Sequence, residues 1–216
     1  MRPVWDFIAD RWEDIAYRSY QHTSLVVQSV LLATIIALVL AVIVIRNKKL
    51  ESFANIFSAI GLTLPSFALL GILLPLVGIG AVPSVIAVTF YAVLPILRNA
   101  VVGLQAVDAN LLESARGMGM SKVATLLKVR LPLAWPVILA GVRTSTQMSF
   151  GVAAIAAYAL GPGLGGYIFT GLSQNGGVNA INFALVGTIG IVILALVLDL
   201  ILVGIGRLTI PRGIRA

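Results

Sequence analysis

The sequence predicts an all-α membrane protein with five transmembrane helices, the N-terminus outside, the C-terminus inside, and a polar helical hairpin on the cytoplasmic side. Three observations predict it. The 216 residues are 59% hydrophobic and only 11% charged, with a mean hydropathy of +1.04, whereas a soluble domain carries about 25% charged residues. Several apolar runs reach the roughly 20 residues that a spanning helix needs. Lys and Arg cluster in short loops that alternate along the chain, the positive-inside pattern. That clustering also explains the formal charge of +7 without nucleic acid as a partner. With no cysteine in the chain, disulfides, thiol catalysis and cysteine metal sites are excluded.

Residues 1–22 precede the first span. Trp5, Ile8, Trp12 and Ile15 recur at helical spacing, and Asp6, Asp10, Glu13 and Asp14 take the other faces. This is the pattern of a helix in the membrane interface, its tryptophans at headgroup level; a partly disordered tail is the alternative. The stretch is acidic as well as basic and leads into a run long enough to span, so a cleavable signal peptide is not expected. His22, the single histidine, sits at the boundary and reads as an interfacial residue. Span one covers residues 23–45, with Ala33, Ala37 and Ala41 forming a ridge that lets another helix approach closely. Arg46, Lys48 and Lys49 follow and mark the cytoplasmic side.

Span two covers residues 53–77 and is interrupted by Pro65 and Pro75. A proline inside a membrane helix frees a backbone carbonyl that protein or a water-filled cavity must receive, so Pro65 marks either a simple kink or a bend that lines a pathway. Gly78-Ile79-Gly80 with Pro83 makes an uncharged outside turn. Span three covers residues 82–102, with Pro95 and Arg98 near its cytoplasmic end.

Residues 107–132 are the only long polar passage. Asp108 or Asn110 N-caps a first short helix with Glu113 near its positive end. Leu111, Ala115 and Met118 make a narrow apolar face. Gly117 and Gly119 supply the stop, and Ser121 caps a second helix with Val123, Leu126 and Leu127 on its apolar face. Pro132 is expected to close that second helix, since proline disfavours helix at the residue before it.

Within this hairpin, Glu113-Ser114-Ala115, three residues, Gly119, nine residues, then Val129-Arg130-Leu131-Pro132 resembles the E-A-A loop of bacterial ABC-importer membrane subunits. Ser114 stands where the family pattern has Ala, and Val129 where it has Ile; both are conservative in size. The resemblance implies a coupling helix that docks in a groove of a cytoplasmic ATPase, with Glu113, Ser114, Ala115, Gly119, Val129, Leu131 and Pro132 as the coupling residues. An ordinary amphipathic loop is the plain alternative, but it needs neither Gly119 and Pro132 together nor their separation.

Span four covers residues 133–160, and its middle is unusually polar: Arg143, Thr144, Ser145, Thr146, Gln147 and Ser149. Gly161-Pro162-Gly163-Leu164-Gly165-Gly166 breaks it. The hexapeptide satisfies G-x-G-x-x-G, yet no strand precedes it and no acid follows about 20 residues on, so it is no dinucleotide site. The segment to Asn182 lacks Lys and Arg and reads as an outside connection, partly re-entrant. Span five covers residues 183–206, and Arg207, Arg212 and Arg215 place the C-terminus inside.

Arg143 and Asp199, the only acid within a span, stand out among the intramembrane residues. A central charge costs roughly 2.5–3.5 kcal/mol on insertion scales, so such residues face the bundle and find partners. Arg143 lies eleven residues past Pro132 and Asp199 eight before Arg207, about 16 and 12 Å along helices rising ~1.5 Å per residue. Both depths run from the same side, so the two are expected to pair. An ion pair that fixes the packing of spans four and five is the plainer reading; Pro65, Arg143, Thr144, Gln147 and Asp199 are the candidates for either packing or pathway.

No Walker A pattern occurs, no His/Glu set has metal spacing, and the residues of an intramembrane protease are absent. No enzyme activity, cofactor or metal is expected. Leu94-Pro95-Ile96-Leu97-Arg98-Asn99, Gly141-Val142-Arg143-Thr144 and Gly163-Leu164-Gly165, together with the hairpin, extend the resemblance over most of the chain, to permeases of osmoprotectant importers for glycine betaine, choline or carnitine. The resemblance implies a type I ABC-importer permease fold over residues 23–216 in the bacterial plasma (inner) membrane. It implies a cytoplasmic ABC ATPase, a second permease subunit, identical or paralogous, and an extracytoplasmic substrate-binding protein, expected as a separate chain since this one ends at Ala216. Methionine-type permeases are the alternative within the class. An ion-coupled secondary transporter or channel is the alternative outside it, and one membrane acid with no internal repeat disfavours that.

Overall fold

A computed structural model describes residues 3–210 and Gly213; Arg212 and Arg215, read as marking the C-terminal side, lie outside the described residues. The described chain is helical throughout. In order it forms α1 (Val4–Asp10), α2 (Trp12–Val44), α3 (Lys48–Thr63), α4 (Ser66–Val77), α5 (Ala81–Gln105), α6 (Ala109–Gly117), α7 (Lys122–Thr125), α8 (Leu131–Ala156), α9 (Gly165–Ser173) and α10 (Ala180–Thr209).

α5 is the centre, packed on α2, α8, α3 and α4. Small residues make this possible. Ala33, Ala37 and Ala41 of α2 are fully buried, so the expected ridge faces the bundle. Where α5 meets α8, a methyl group on Gly141 would stand 2.6 Å from Asn99 Cβ, and Ser145 Oγ donates to the Ala92 carbonyl at 2.7 Å. Helices in lipid gain little from burying apolar surface against each other, so close backbone approach and interhelical hydrogen bonds carry the association.

Among the described residues, four unbroken helical stretches are long and apolar enough to cross a membrane: Trp12–Val44, Ala81–Gln105, Lys122–Ala159 and Ala180–Thr209. The expected second span is not continuous. α3 and α4 meet at 93°. Pro65 has no N–H and holds Leu64 extended, at φ −66° and ψ 124°, which ends α3. Three carbonyls at the break find donors: Ile60 from the Thr63 hydroxyl at 2.8 Å, Gly61 from the Leu64 N–H, and Leu64 from the Tyr91 hydroxyl of α5. Pro75, read as a second interruption, lies inside α4, which continues to Val77.

Two further expectations are corrected. Pro132 does not close the second leg of the hairpin: α7 runs through one π-type turn, Leu126–Arg130, directly into α8. Leu131 N–H bonds back five residues to the Leu126 carbonyl, and Pro132, at the first turn of α8, needs no donor there. The widened turn gives its ring room. At the other end, residues 12–22 are not a separate interfacial piece but the first turns of the 33-residue α2; only α1 is set apart, by a break at Arg11. Trp5 and Trp12 are exposed, as expected of interfacial residues, while Phe7 is buried against the edges of Tyr167 and Phe183, whose centroids lie 6.3 and 4.9 Å away.

His22 does not lie on an exposed face of α2. It is fully buried, stacked on Phe150 with centroids 5.5 Å apart, its Nε2 3.2 Å from the Phe150 carbonyl. Gly163 admits it: a methyl there would stand 2.7 Å from His22 Nδ1.

Candidate functional site

The hairpin between α5 and α8 is built from local chemistry. Asp108 Oδ1 accepts from the Asn110 N–H at 2.8 Å and starts α6; Ser121 Oγ accepts from the Ala124 N–H at 3.2 Å and starts α7. Between them Gly119 adopts φ +81°, a left-handed conformation that side chains disfavour, and its N–H closes on the Arg116 carbonyl at 2.9 Å. The chain then folds over Ala115, whose carbonyl receives the Met120 N–H at 3.1 Å. Ala115 is buried against its own hairpin, so its small size serves the fold of the loop itself. Ser114 bonds back to the Asn110 carbonyl at 2.8 Å and, with Glu113, lies on the exposed side.

Arg130 holds the returning leg in place, its Nε donating to the Leu104 carbonyl at the end of α5 at 2.6 Å. Trp135 Nε1 donates to Thr209 Oγ1 at 2.8 Å and ties the start of α8 to the end of α10. Val129 and Leu131 are half-buried in this joint and Pro132 is exposed. A braced hairpin thus presents Glu113 beside a set of exposed apolar side chains: Leu111, Met118, Val123 and Leu127. Sequence periodicity groups Leu111 and Met118 with Ala115, but the structure turns Ala115 inward and leaves the two longer side chains outside. Neither Arg130 nor Trp135 carries a local signal, since their partners are 26 and 74 residues away.

The intramembrane candidates divide. Arg143 and Asp199 form a two-pronged ion pair, Nε to Oδ1 and Nη2 to Oδ2, each at 2.8 Å. Gln147 lies one turn along α8 from Arg143 and is exposed. Thr144 is exposed on the same helix. Pro65 is exposed at the α3–α4 elbow, which is bonded to Tyr91 rather than to the pair. At the end of the bundle away from the hairpin, Tyr167 of α9 donates its hydroxyl to Asp14 Oδ2 at 2.7 Å. Burial and then the Asp14 carboxylate push this phenol up to about 12, so it stays the donor.

A long-helix bundle with a small-residue core and a braced polar hairpin between α5 and α8 is the layout of a transport permease. Residues 29–212 match the family "Binding-protein-dependent transport system inner membrane component", and the chain belongs to that family of inner-membrane permeases. Among curated relatives, the choline transport system permease protein OpuBB of Bacillus subtilis (strain 168) is 38% identical, the match covering 100% of this chain and 97% of that one. The glycine betaine/carnitine/choline permease OpuCB of the same organism is 37% identical with the same coverage. The osmoprotectant import permease OsmW of Salmonella typhimurium is 37% identical over 97% of this chain and 98% of that one. Among solved structures, an inward-facing MetNI methionine ABC transporter superposes with a TM-score of 0.69 over 94% of this chain and 96% of that one at 21% identity, a likeness of fold.

Proposed function

We propose that the chain is the permease subunit of an ABC importer for osmoprotectants of the quaternary ammonium type, such as glycine betaine, choline or carnitine. The full-length similarity to OpuBB, 38% identity over the whole chain, carries this reading. The methionine alternative has weaker support, because the MetNI likeness is at 21% identity. In this reading residues 23–216 form the transmembrane domain, with the bent α3–α4 pair counted as one of five spans, the N-terminus out and the C-terminus in. Two permease subunits enclose the pathway. A separate binding protein delivers solute from outside, where its aromatic side chains hold the cation through cation–π contact. A cytoplasmic ATPase docks on the hairpin and hydrolyses the nucleotide.

Glu113, Leu111, Met118, Val123 and Leu127 are the exposed docking face, and Gly119 sets its shape. Gly119→Val tests this. Nothing lies within 4 Å of the added Cβ, but its φ of +81° is strained for valine. Insertion and accumulation should stay near wild type, while ATP-driven uptake of labelled glycine betaine is lost and capture of the ATPase in pull-downs weakens. Glu113→Ala should act the same way more mildly, since it leaves the backbone alone. An ion-coupled transporter predicts uptake that survives both changes and ignores ATP depletion. Normal uptake in Gly119→Val, with no ATPase recovered from either protein, would end the importer reading.

A further inference from the structure

A cavity of 470 Å³ opens between the end of α2 and the hairpin. Four cations line it: Arg46 after α2, Arg116 of α6, Lys122 of α7 and Arg130 of the π-type turn. Among the described residues no carboxylate lines it, and no ion pair ties any of the four to an acid. Arg116 and Arg130 repel each other, so the fold brings like charges together with nothing of its own to balance them. Apart from Thr125, whose hydroxyl is taken by the Ser121 carbonyl, the rest of the wall is apolar, with Val42 and Ile45 of α2 on one side and Leu112 and Leu126 on the other.

We propose that this cavity is a binding site for the phosphate headgroup of an anionic phospholipid. Like charges gathered around one space destabilise the fold unless an anion joins them, and a phosphate accepts several guanidinium and ammonium donors at once. A free anion has no use for the apolar wall. A lipid does: its headgroup sits among the cations while its acyl chains run along Val42 and Ile45 at the end of a membrane-spanning helix. Basic pockets between spans on the cytoplasmic side suit such headgroups. Arg130 links the site to the hairpin, because one of its nitrogens already holds the Leu104 carbonyl while the rest of its guanidinium remains for the phosphate. Bound lipid therefore braces the hairpin against the first span. The inference rests on the proposed topology, which puts the hairpin at the cytoplasmic leaflet.

The test is retention of phosphatidylglycerol against phosphatidylcholine by the purified full chain, read by native mass spectrometry. Wild type should prefer phosphatidylglycerol. R46Q/R116Q/K122Q spares Arg130 and should weaken that retention by about fivefold per charge removed. K48Q/K49Q/K128Q removes three nearby charges outside the cavity and should leave it unchanged. R46K/R116K keeps the charge and should retain the lipid if the glutamine variant fails to fold. Equal losses in both glutamine triples would mean diffuse surface charge and overturn the site. Displacement of bound anion by inorganic phosphate at matched ionic strength, without preference between the lipids, would mean a free-phosphate site and overturn it too. Unchanged lipid retention with lost ATPase capture would assign the cations to the ATPase instead. Cysteine labelling at positions 48 and 175 in sealed vesicles checks the topology separately, and lipid retention is read without any transport.

Discussion

Of the most apolar stretch of α5, 61% of residues are buried within the chain; of the corresponding stretch of α10, only 11% are. Both helices are hydrophobic, and α10, the less buried, is the more apolar of the two, so hydrophobicity does not account for the burial. What separates them is residue size. α5 meets glycine and alanine from α2 and α8, and Gly103 and Gly141 let the backbones close in. α10 presents Val192, Ile193, Leu196, Val197 and Leu200 outward and is held at a few points: Gly187 against α9 and Gly171 of α9 against its own first turns, the Arg143–Asp199 pair, and the Trp135–Thr209 hydrogen bond. In a membrane, lipid competes for apolar contacts. Central position therefore follows small residues, and a helix rich in large aliphatics stays at the edge unless polar ties hold it.

The largest effect should come from disturbing the close α5–α8 contact. In Gly141→Leu the Cβ alone would stand 2.6 Å from Asn99 Cβ, and overpacking of this kind costs about 1–3 kcal/mol or more. The expected outcome is loss of most folded protein from the membrane and a clearly lowered thermal midpoint in detergent. A fully stable Gly141→Leu variant would show that the two helices are free to part, and the contrast with α10 would fail.

The polar ties of α10 come next. Arg143→Ala and Asp199→Ala should each reduce accumulation, because each leaves a charge without its partner in a low-dielectric layer. Interhelical hydrogen bonds in membranes contribute about 0.6–2 kcal/mol. The double variant should lose less than the sum of the two singles, and strict additivity would mean that the pair is not what holds α10. Arg143 keeps 38% of its side chain exposed against 15% for Asp199, so Asp199→Ala, which strands the cation, should still leave Arg143 an accessible route to water or headgroups. Arg143→Ala should be the more damaging of the two.

Legibility in the sequence followed the range of the interactions. The Ala33–Ala37–Ala41 ridge was readable because one helix face has a fixed period. The caps at Asp108 and Ser121 and the turn at Gly119 were readable because each is satisfied within a few residues. The Arg143–Asp199 pairing was readable from depth alone, as a membrane offers a charge few partners. Pro65 announces a break but neither its 93° angle nor the Tyr91 hydroxyl that reaches across from α5 to the freed Leu64 carbonyl. His22 and Phe7 were misplaced or overlooked because distant residues bury them: Phe150 and Gly163 in one case, Tyr167 and Phe183 in the other. Pro132 misled because a π-type turn, with no composition of its own, carries the helix past it.

The smallest effect should come from the outer part of α10, where the comparison is sharpest. No atom lies within 4 Å of a Cβ built on Gly204, so Gly204→Ala meets no obstacle and removes a residue that weakens helices by about 1 kcal/mol relative to alanine. If this part of α10 faces only lipid, the thermal midpoint of the chain should stay level or rise slightly, and uptake should not change. Gly204→Leu extends the probe beyond the reach of a methyl group and should also be tolerated. The informative failure is selective: a chain that folds and melts like wild type but no longer pairs with a second permease subunit in crosslinking. That result would mean that α10 is exposed in the single chain because another protein covers it, and that size, not lipid, is what its outer surface is built to match.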